Sequence, residues 1–106
     1  MRRVWRTATL IWMAGILLVS LLPGGPATPG GTTWHLAGYG VLGILWGQWQ
    51  AAWLVWVLAT AYGAAIEGLQ WLIPGRLAEV SDLLANALGV LAGVGIAGIW
   101  ARVRRK

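Results

Sequence analysis

The sequence predicts an all-α integral membrane protein, a four-helix transmembrane bundle that forms a single domain over residues 1–106. Hydrophobic residues make up 58% of the chain and charged residues only 10%, whereas charged residues are about 25% of a typical soluble domain. No Lys, Arg, Asp or Glu occurs between Thr7 and Ile66, and a soluble domain of this length cannot bury so much apolar surface. The chain has no cysteine, which excludes disulfides and thiolate metal sites.

The first predicted helix spans approximately residues 4–22, which is enough for one crossing, because a crossing takes about 17–25 residues. Basic residues precede this apolar run and Gly25-Pro26-Ala27 follows it, so the segment has some features of a secretory signal peptide. We expect the helix to be retained, since the run is long for a signal and the proline is unfavourable at a cleavage site. Residues 23–33 contain three prolines and four glycines and are predicted to form a loop.

The remaining predicted helices span approximately residues 34–49, 51–73 and 81–100. The second helix is short for a crossing, and Gln48-Trp49-Gln50 predicts a tight connection to the third. Pro74-Gly75 ends the third helix. Ser81 is a predicted N-cap of the fourth helix, and Asp82 in its first turn suits the positive end of the helix dipole.

The basic residues predict how the helices are oriented. Seven of the eight Lys and Arg residues lie near the two ends of the chain, and only Arg76 lies between them. Four crossings put both termini on one side, and basic residues next to membrane helices mark that side as cytoplasmic. Tryptophans at the predicted inner and outer interfaces agree with this orientation. Because the net charge of +5 comes from these flanks, we expect contact with anionic lipid headgroups and not with nucleic acid.

Small and polar residues share the helix faces that we expect to pack together. Small residues lie four apart at Gly89 and Gly93, a spacing that lets membrane helices approach closely. The same spacing occurs at Gly43 and Gly47 and at Ala59 and Gly63. At 1.5 Å per residue, the polar residues on these faces reach similar depths near the outer side. One outward-facing cavity can therefore hold His35, Tyr39, Glu67, Gln70, Asp82 and Asn86.

Several of these residues also have purely structural explanations. An acid inside a membrane helix costs roughly 2.5–3.5 kcal/mol on insertion scales, so Glu67 either ties two helices together or handles a proton, ligand or metal. His35 alone is consistent with an ordinary interfacial histidine, and Asp82 with a residue favoured by the helix dipole. Arg76 has three open roles, which are pairing with an acid, binding lipid phosphate and binding an anionic ligand. Without a close-spaced pair of metal ligands we expect no metal and no cofactor.

The ordered polar residues resemble the VanZ-like family of small bacterial membrane proteins. The matching motifs are Ile66-Glu67-x-x-Gln70, Pro74-Gly75-Arg76, Asp82-x-x-x-Asn86-x-x-Gly89-x-x-x-Gly93 and His35-x-x-x-Tyr39. The resemblance spans roughly residues 23–93. It implies a shared ligand-binding site formed by His35, Tyr39, Glu67, Gln70, Arg76, Asp82 and Asn86. The family often has Asp-Lys shortly before the histidine, where this chain has Thr32-Thr33, and this departure weakens any catalytic assignment.

The resemblance also implies a multi-pass protein of the bacterial cytoplasmic membrane that acts in the cell envelope. The founding member of the family is associated with resistance to teicoplanin-type glycopeptide antibiotics. One hypothesis is a non-enzymatic protein that binds a lipid-linked envelope precursor or a lipophilic glycopeptide. A second is a membrane enzyme that acts on an envelope lipid or glycan precursor, with His35 as general acid or base oriented by Glu67 or Asp82, or with these three residues as a metal site. A small transporter that uses Glu67 and an assembly subunit also remain open, as does a homo-oligomer formed through remaining glycine faces.

Overall fold

The computed structural model describes residues 2–21, 31–72 and 80–105, and the described residues form four α-helices. These are α1 (Arg2–Leu21), α2 (Gly31–Trp46), α3 (Ala52–Gln70) and α4 (Val80–Arg104). The prediction of an all-helical chain with four helices is therefore confirmed over this part of the sequence. Of the described helices, α1, α3 and α4 are long and apolar enough to cross a membrane, whereas α2 has 16 residues.

The predicted start of the second helix is wrong by three residues. Residues 31–33 were predicted as part of a loop, but α2 begins at Gly31. The last proline of the loop is Pro29, and only proline removes a backbone donor and clashes with the preceding turn. Glycine in a helix costs only about 1 kcal/mol relative to alanine, so Gly31 does not prevent helix formation. The rest of the predicted loop lies outside the described residues.

The other helix ends also differ from the predicted limits. α2 ends at Trp46, because Gln48 and Trp49 donate their N–H groups three residues back, to Leu45 and Trp46, which is the tighter bonding of a final turn. α3 ends at Gln70 and is followed by a turn at 71–72. α4 begins at Val80 and continues to Arg104. Ser81 is consequently inside the first turn of α4 and is not its N-cap.

Both chain ends lie at the same end of the bundle, which we call the terminal end. The Arg2 guanidinium donates to the backbone oxygen of Trp49 at 3.2 Å. The Arg104 guanidinium donates to Oε1 of Gln48 at 3.5 Å. These contacts place the start of α1, the α2–α3 connection and the end of α4 together. The start of α2 and the start of α4 therefore lie at the opposite end, which we call the distal end.

The closest helix pair is α2 and α4, and glycines line their contact. A Cβ atom added at Gly43 would lie 2.6 Å from the Val90 carbonyl oxygen, and one added at Gly89 would lie 2.5 Å from the Leu36 carbonyl oxygen. Gly93 packs against the backbone of Gly40 and Gly43. The predicted role of small residues spaced four apart is thus confirmed for α2 and α4. We call this contact the glycine seam.

Hydrogen bonds from aromatic side chains to backbone carbonyls join the other helices. The donors and acceptors are Trp12 Nε1 to Gly38 O at 2.8 Å, Tyr62 Oη to Met13 O at 2.6 Å and Trp56 Nε1 to Ala87 O at 3.2 Å. A helical carbonyl that already accepts a backbone bond has a second lone pair for such a donor. These bonds connect α1 to α2, α3 to α1 and α3 to α4. They give a structural role to Trp12 and Trp56, which are not among the tryptophans predicted at the membrane interfaces.

The outer surface of the bundle is apolar. Leu18, Ile99 and Leu72 are 67%, 64% and 79% exposed. Inside, a buried cluster is formed by Tyr39, Leu42, Val55, Ala59, Val90 and Val94. Soluble monomers rarely expose large continuous apolar patches, whereas lipid tails solvate such a surface. The surface therefore agrees with the membrane class that the composition predicts.

Candidate functional site

His35 lies at the distal end of α2 and faces the first two turns of α4. Its Nδ1 is 2.9 Å from Oδ1 of Asn86, and its Nε2 is 3.6 Å from Oδ2 of Asp82. Asp82 and Asn86 are one helical turn apart, so their side chains leave the same face of α4. A single neighbouring helix therefore faces both nitrogens of the imidazole, with a hydrogen bond at Nδ1 and a longer contact at Nε2.

The contacts of His35 are compatible with more than one arrangement of its protons. A ring with a proton on Nδ1 donates it to Oδ1 of Asn86 as the amide stands, and a ring with its only proton on Nε2 accepts from the Asn86 nitrogen after the amide is rotated. The separation of 3.6 Å between Nε2 and Asp82 exceeds hydrogen-bond length, so Nε2 can form a hydrogen bond with a ligand oxygen.

Tyr39 forms the inner wall of this group. Its ring is stacked on the His35 ring, with centroids 6.5 Å apart and an angle of 7° between the ring planes. A Cβ atom at Gly63 of α3 would lie 3.1 Å from Cε2 and 3.2 Å from the hydroxyl oxygen of Tyr39, and 2.8 Å from Nδ2 of Asn86. The absence of a side chain at Gly63 therefore lets α3 close over Tyr39 and Asn86. The sequence predicts Gly63 as a packing residue but not as a neighbour of the site.

Glu67 is buried on α3, with 4% of its surface exposed. It is one turn beyond Gly63 toward the distal end, about 6 Å along the helix axis. This rise brings Glu67 to roughly the level of His35 and Asp82. The His35, Asp82 and Asn86 side chains are in contact at the distal end, and a shared cavity that also includes Glu67 stays a prediction.

Gln70 has a different described contact. It is buried, and its Nε2 donates to the backbone oxygen of Ser20 at 3.0 Å. This hydrogen bond joins α3 to the last turn of α1 and does not connect Gln70 to His35. Arg76 lies outside the described residues, as do Glu79 and the Pro74-Gly75 pair. A ligand-binding role for Arg76 and Gln70 therefore stays a prediction.

The described residues contain no group of three or more His, Cys, Asp or Glu side chains that could hold a metal ion. His35 and Asp82 are close together, but two ligands are fewer than the three protein ligands of a typical catalytic zinc site. The chemistry that the arrangement supports is hydrogen bonding and proton exchange. His35 can donate a hydrogen bond to a ligand oxygen or accept one from a ligand hydroxyl, and the Asp82 carboxylate is 3.6 Å from its Nε2.

Comparisons with known proteins identify the family. A search of curated proteins and a search of solved structures each found no significant match. The sequence model of the VanZ/LLP1 family matches residues 6–101, which is most of the 106-residue chain. The match includes α2 and α3, most of α1 and α4, and every residue of the group around His35. The chain therefore belongs to the VanZ/LLP1 family and is a membrane protein of the VanZ type.

Proposed function

We propose that this protein binds the polar part of an amphiphilic envelope molecule at the distal end of its bundle. The molecule is a lipid-linked envelope precursor or a lipophilic glycopeptide such as teicoplanin. Binding would change how such an antibiotic reaches its target at the membrane surface. The protein crosses the bacterial cytoplasmic membrane four times, with both termini in the cytoplasm and the distal end facing outward.

The observation that supports this proposal best is the partial exposure of His35, whose ring is hydrogen-bonded to a buried asparagine. The side chains of His35 and Asp82 are 23% and 15% exposed, whereas Asn86 behind them is 1% exposed. A histidine that only stabilised the bundle would gain nothing from this opening. A buried asparagine behind an accessible histidine and carboxylate is an arrangement that can orient a polar group of a ligand.

The surroundings of the site favour a ligand with an apolar tail. Trp34, Leu36 and Leu84 are next to the site in sequence and are 71%, 44% and 61% exposed. These side chains would contact lipid when the distal end is in the outer leaflet. A ligand that reaches His35 from the membrane therefore has a polar group for the site and an acyl or prenyl chain for these side chains.

The charge distribution supports the proposed orientation. The terminal end has Arg2 and Arg104 at the α2–α3 connection, and the other basic flanking residues are close to them in sequence. The positive-inside rule then assigns this end to the cytoplasm. The distal end, with Asp82 and Glu67, faces outward under the same rule.

Antibiotic tolerance in a sensitive bacterial host tests the proposal. We expect expression of the native chain to raise the teicoplanin concentration that inhibits growth. The variants His35→Ala and Glu67→Gln should remove this gain, while Gly68→Ala should keep it, because a Cβ atom at Gly68 meets no atom within 4 Å. Vancomycin, which has no lipid chain, should show a smaller effect than teicoplanin.

Membrane abundance of each variant is the necessary control for this experiment. A tolerance gain that His35→Ala and Glu67→Gln leave unchanged, at equal abundance, would remove the distal site from the proposal. An equal effect on both antibiotics would show that the lipid chain is not recognised.

A membrane enzyme that acts on an envelope lipid or glycan precursor is the second candidate. The proximity of His35 to Asp82 favours it, because a histidine next to a carboxylate can act as a general acid or base. Glu67 would complete the acid–base group. Purified protein incubated with a lipid-linked precursor tests this function. Turnover that is lost in His35→Ala would support it, and an unchanged precursor would favour binding alone.

A further inference from the structure

A cavity at the terminal end, far from His35, has the features of a second binding site. It has a volume of about 470 Å³ and is lined by Arg2, Trp5, Gly47, Gln48, Trp49, Gln50, Ala51 and Arg104. This volume is within the roughly 300–1,000 Å³ range of small-ligand sites. We call it the terminal groove. The function proposed above for the distal end does not use any of these residues.

The terminal groove is lined by two arginines and by no acidic side chain among the described residues. Arg2 comes from the first turn of α1 and Arg104 from the last turn of α4. None of the three acidic residues of the chain belongs to the described lining. The hydrogen bonds of the two guanidinium groups are to neutral oxygen atoms, the Trp49 backbone oxygen and the Gln48 side chain. Two cations so placed attract an anion.

The lining is also rigid and suited to a hydroxylated ligand. Trp49 donates its indole N–H to Oγ1 of Thr9 at 3.0 Å, and Thr9 donates to the Trp5 backbone oxygen at 2.7 Å. The Trp49 ring stacks on Trp46 with centroids 6.4 Å apart. The connection is thus fixed to α1. The amides of Gln48 and Gln50 provide donors and acceptors for hydroxyl groups.

Exposed apolar and aromatic side chains are close to the groove residues in sequence. Val4 and Trp53 are 63% and 70% exposed. Trp100 is 53% exposed, and the Arg104 guanidinium lies over its ring at 5.9 Å from the centroid. Indole rings prefer the level of lipid headgroups. A ligand at this level has its charged group among the arginines and its chains among the apolar side chains.

We propose that the terminal groove binds the phosphate of an anionic glycerophospholipid with a hydroxylated headgroup, in the leaflet on the side of the chain termini. Arg2 and Arg104 contact the phosphate oxygens through charge-assisted hydrogen bonds. Gln48 and Gln50 bond the headgroup hydroxyls, and the acyl chains lie along α1 and α4. This is a local site and differs from the general attraction of basic flanks to anionic lipid.

Lipid binding to purified protein in phosphatidylcholine nanodiscs, with added dioleoylphosphatidylglycerol, tests this proposal. The double variant Arg2→Gln/Arg104→Gln should lower affinity for phosphatidylglycerol by about tenfold or more. The matched control Arg3→Gln/Arg105→Gln removes the same charge from the same chain ends, but its residues do not line the groove. It should change affinity by less than about threefold.

Several outcomes would overturn the proposal. An equal loss in both double variants would mean that the lipid is attracted only by general charge. Displacement of the lipid by glycerol 1-phosphate or inorganic phosphate at equal concentration would mean that the ligand is a soluble phosphate. Arg104→Gln alone keeps the Arg2–Trp49 contact, so it tests the groove even if the double variant does not fold. An unchanged affinity in this single variant would also contradict the proposal.

Discussion

The glycine seam allows a prediction about stability that depends on backbone contact alone. In Gly93→Ala, the new Cβ atom would clash with the Gly40 carbonyl oxygen and would lie 2.9 Å from Gly43 Cα and from the Ile44 nitrogen. All three neighbours are backbone atoms, so no side-chain rotation relieves the clash. Ordinary contact at about 3.4 Å requires α2 and α4 to separate by more than about 0.5 Å, because the Gly40 oxygen is nearer than the other two atoms. A gap of about 0.5–1 Å forfeits roughly a quarter to a half of the attraction between facing atoms.

The expected cost combines this lost packing with overpacking. Inserted methyl groups in a tight core typically cost about 1–3 kcal/mol, and the seam has no soft neighbour, so we expect a value near the upper end of that range. Gly95→Ala is the matched control on the same helix, because a Cβ atom at Gly95 meets nothing within 4 Å. Alanine has the higher helix propensity, so the control should be neutral or slightly stabilising.

Reversible unfolding in mixed detergent micelles, followed by helical circular dichroism, measures both free energies of unfolding. The difference between Gly93→Ala and Gly95→Ala isolates the contact with α2. A Gly93→Ala variant that is as stable as the native protein would refute the close approach of α2 and α4. A loss in Gly95→Ala as large as that in Gly93→Ala would mean that the effect is on the helix itself.

Three further predictions concern the site and the bonds between helices. Gly63→Ala should displace Tyr39 and Asn86, which lie beside His35, and should therefore lower tolerance to teicoplanin, whereas Gly68→Ala should not. Equal tolerance in the two variants would contradict the close contact of Gly63 with these side chains. Tyr62→Phe should lower the free energy of unfolding in detergent by about 0.6 kcal/mol and at most about 1.7 kcal/mol, and no change would mean that its 2.6 Å bond adds no stability. Gln70→Leu should lower the free energy of unfolding by about 1 kcal/mol and leave tolerance unchanged, which is the opposite pattern to His35→Ala. A loss of tolerance without a loss of stability would mean that Gln70 belongs to the ligand-binding site.

Much of the architecture could be predicted because it depends on local patterns. The length and polarity of each segment predict the number of helices, and the helical repeat assigns residues to faces. The buried residues of α3 include Ala59, Gly63, Glu67 and Gln70, which the sequence assigns to one face. The helix ends were less predictable, since Gly31 and Trp46 lie where tertiary contacts and turn geometry compete with weak local preferences.

The sequence predicts which polar residues lie near the distal end of the bundle, but it does not predict which hydrogen bonds they form. Depth along the helices brings His35, Glu67 and Asp82 to one end, because the rise per residue is constant. The rise does not determine which atom on a neighbouring helix a side chain meets. The Gln70 amide and the Trp12 and Trp56 indoles bond to backbone carbonyls, and carbonyls are present at every residue, so no sequence signal distinguishes the acceptor.

The sequence by itself determined the membrane class, the four helices, the small-residue faces and the family. Only the tertiary structure decided that α2 and α4 form the closest pair. It also decided that Asn86 and Asp82 face the two nitrogens of His35 and that Gln70 donates a hydrogen bond to α1. The reason is that apolar periodicity sets which side of a helix is buried. The rotation and offset between two helices depend on where glycines let their backbones come into contact. This depends on both helices together and cannot be read from either one alone.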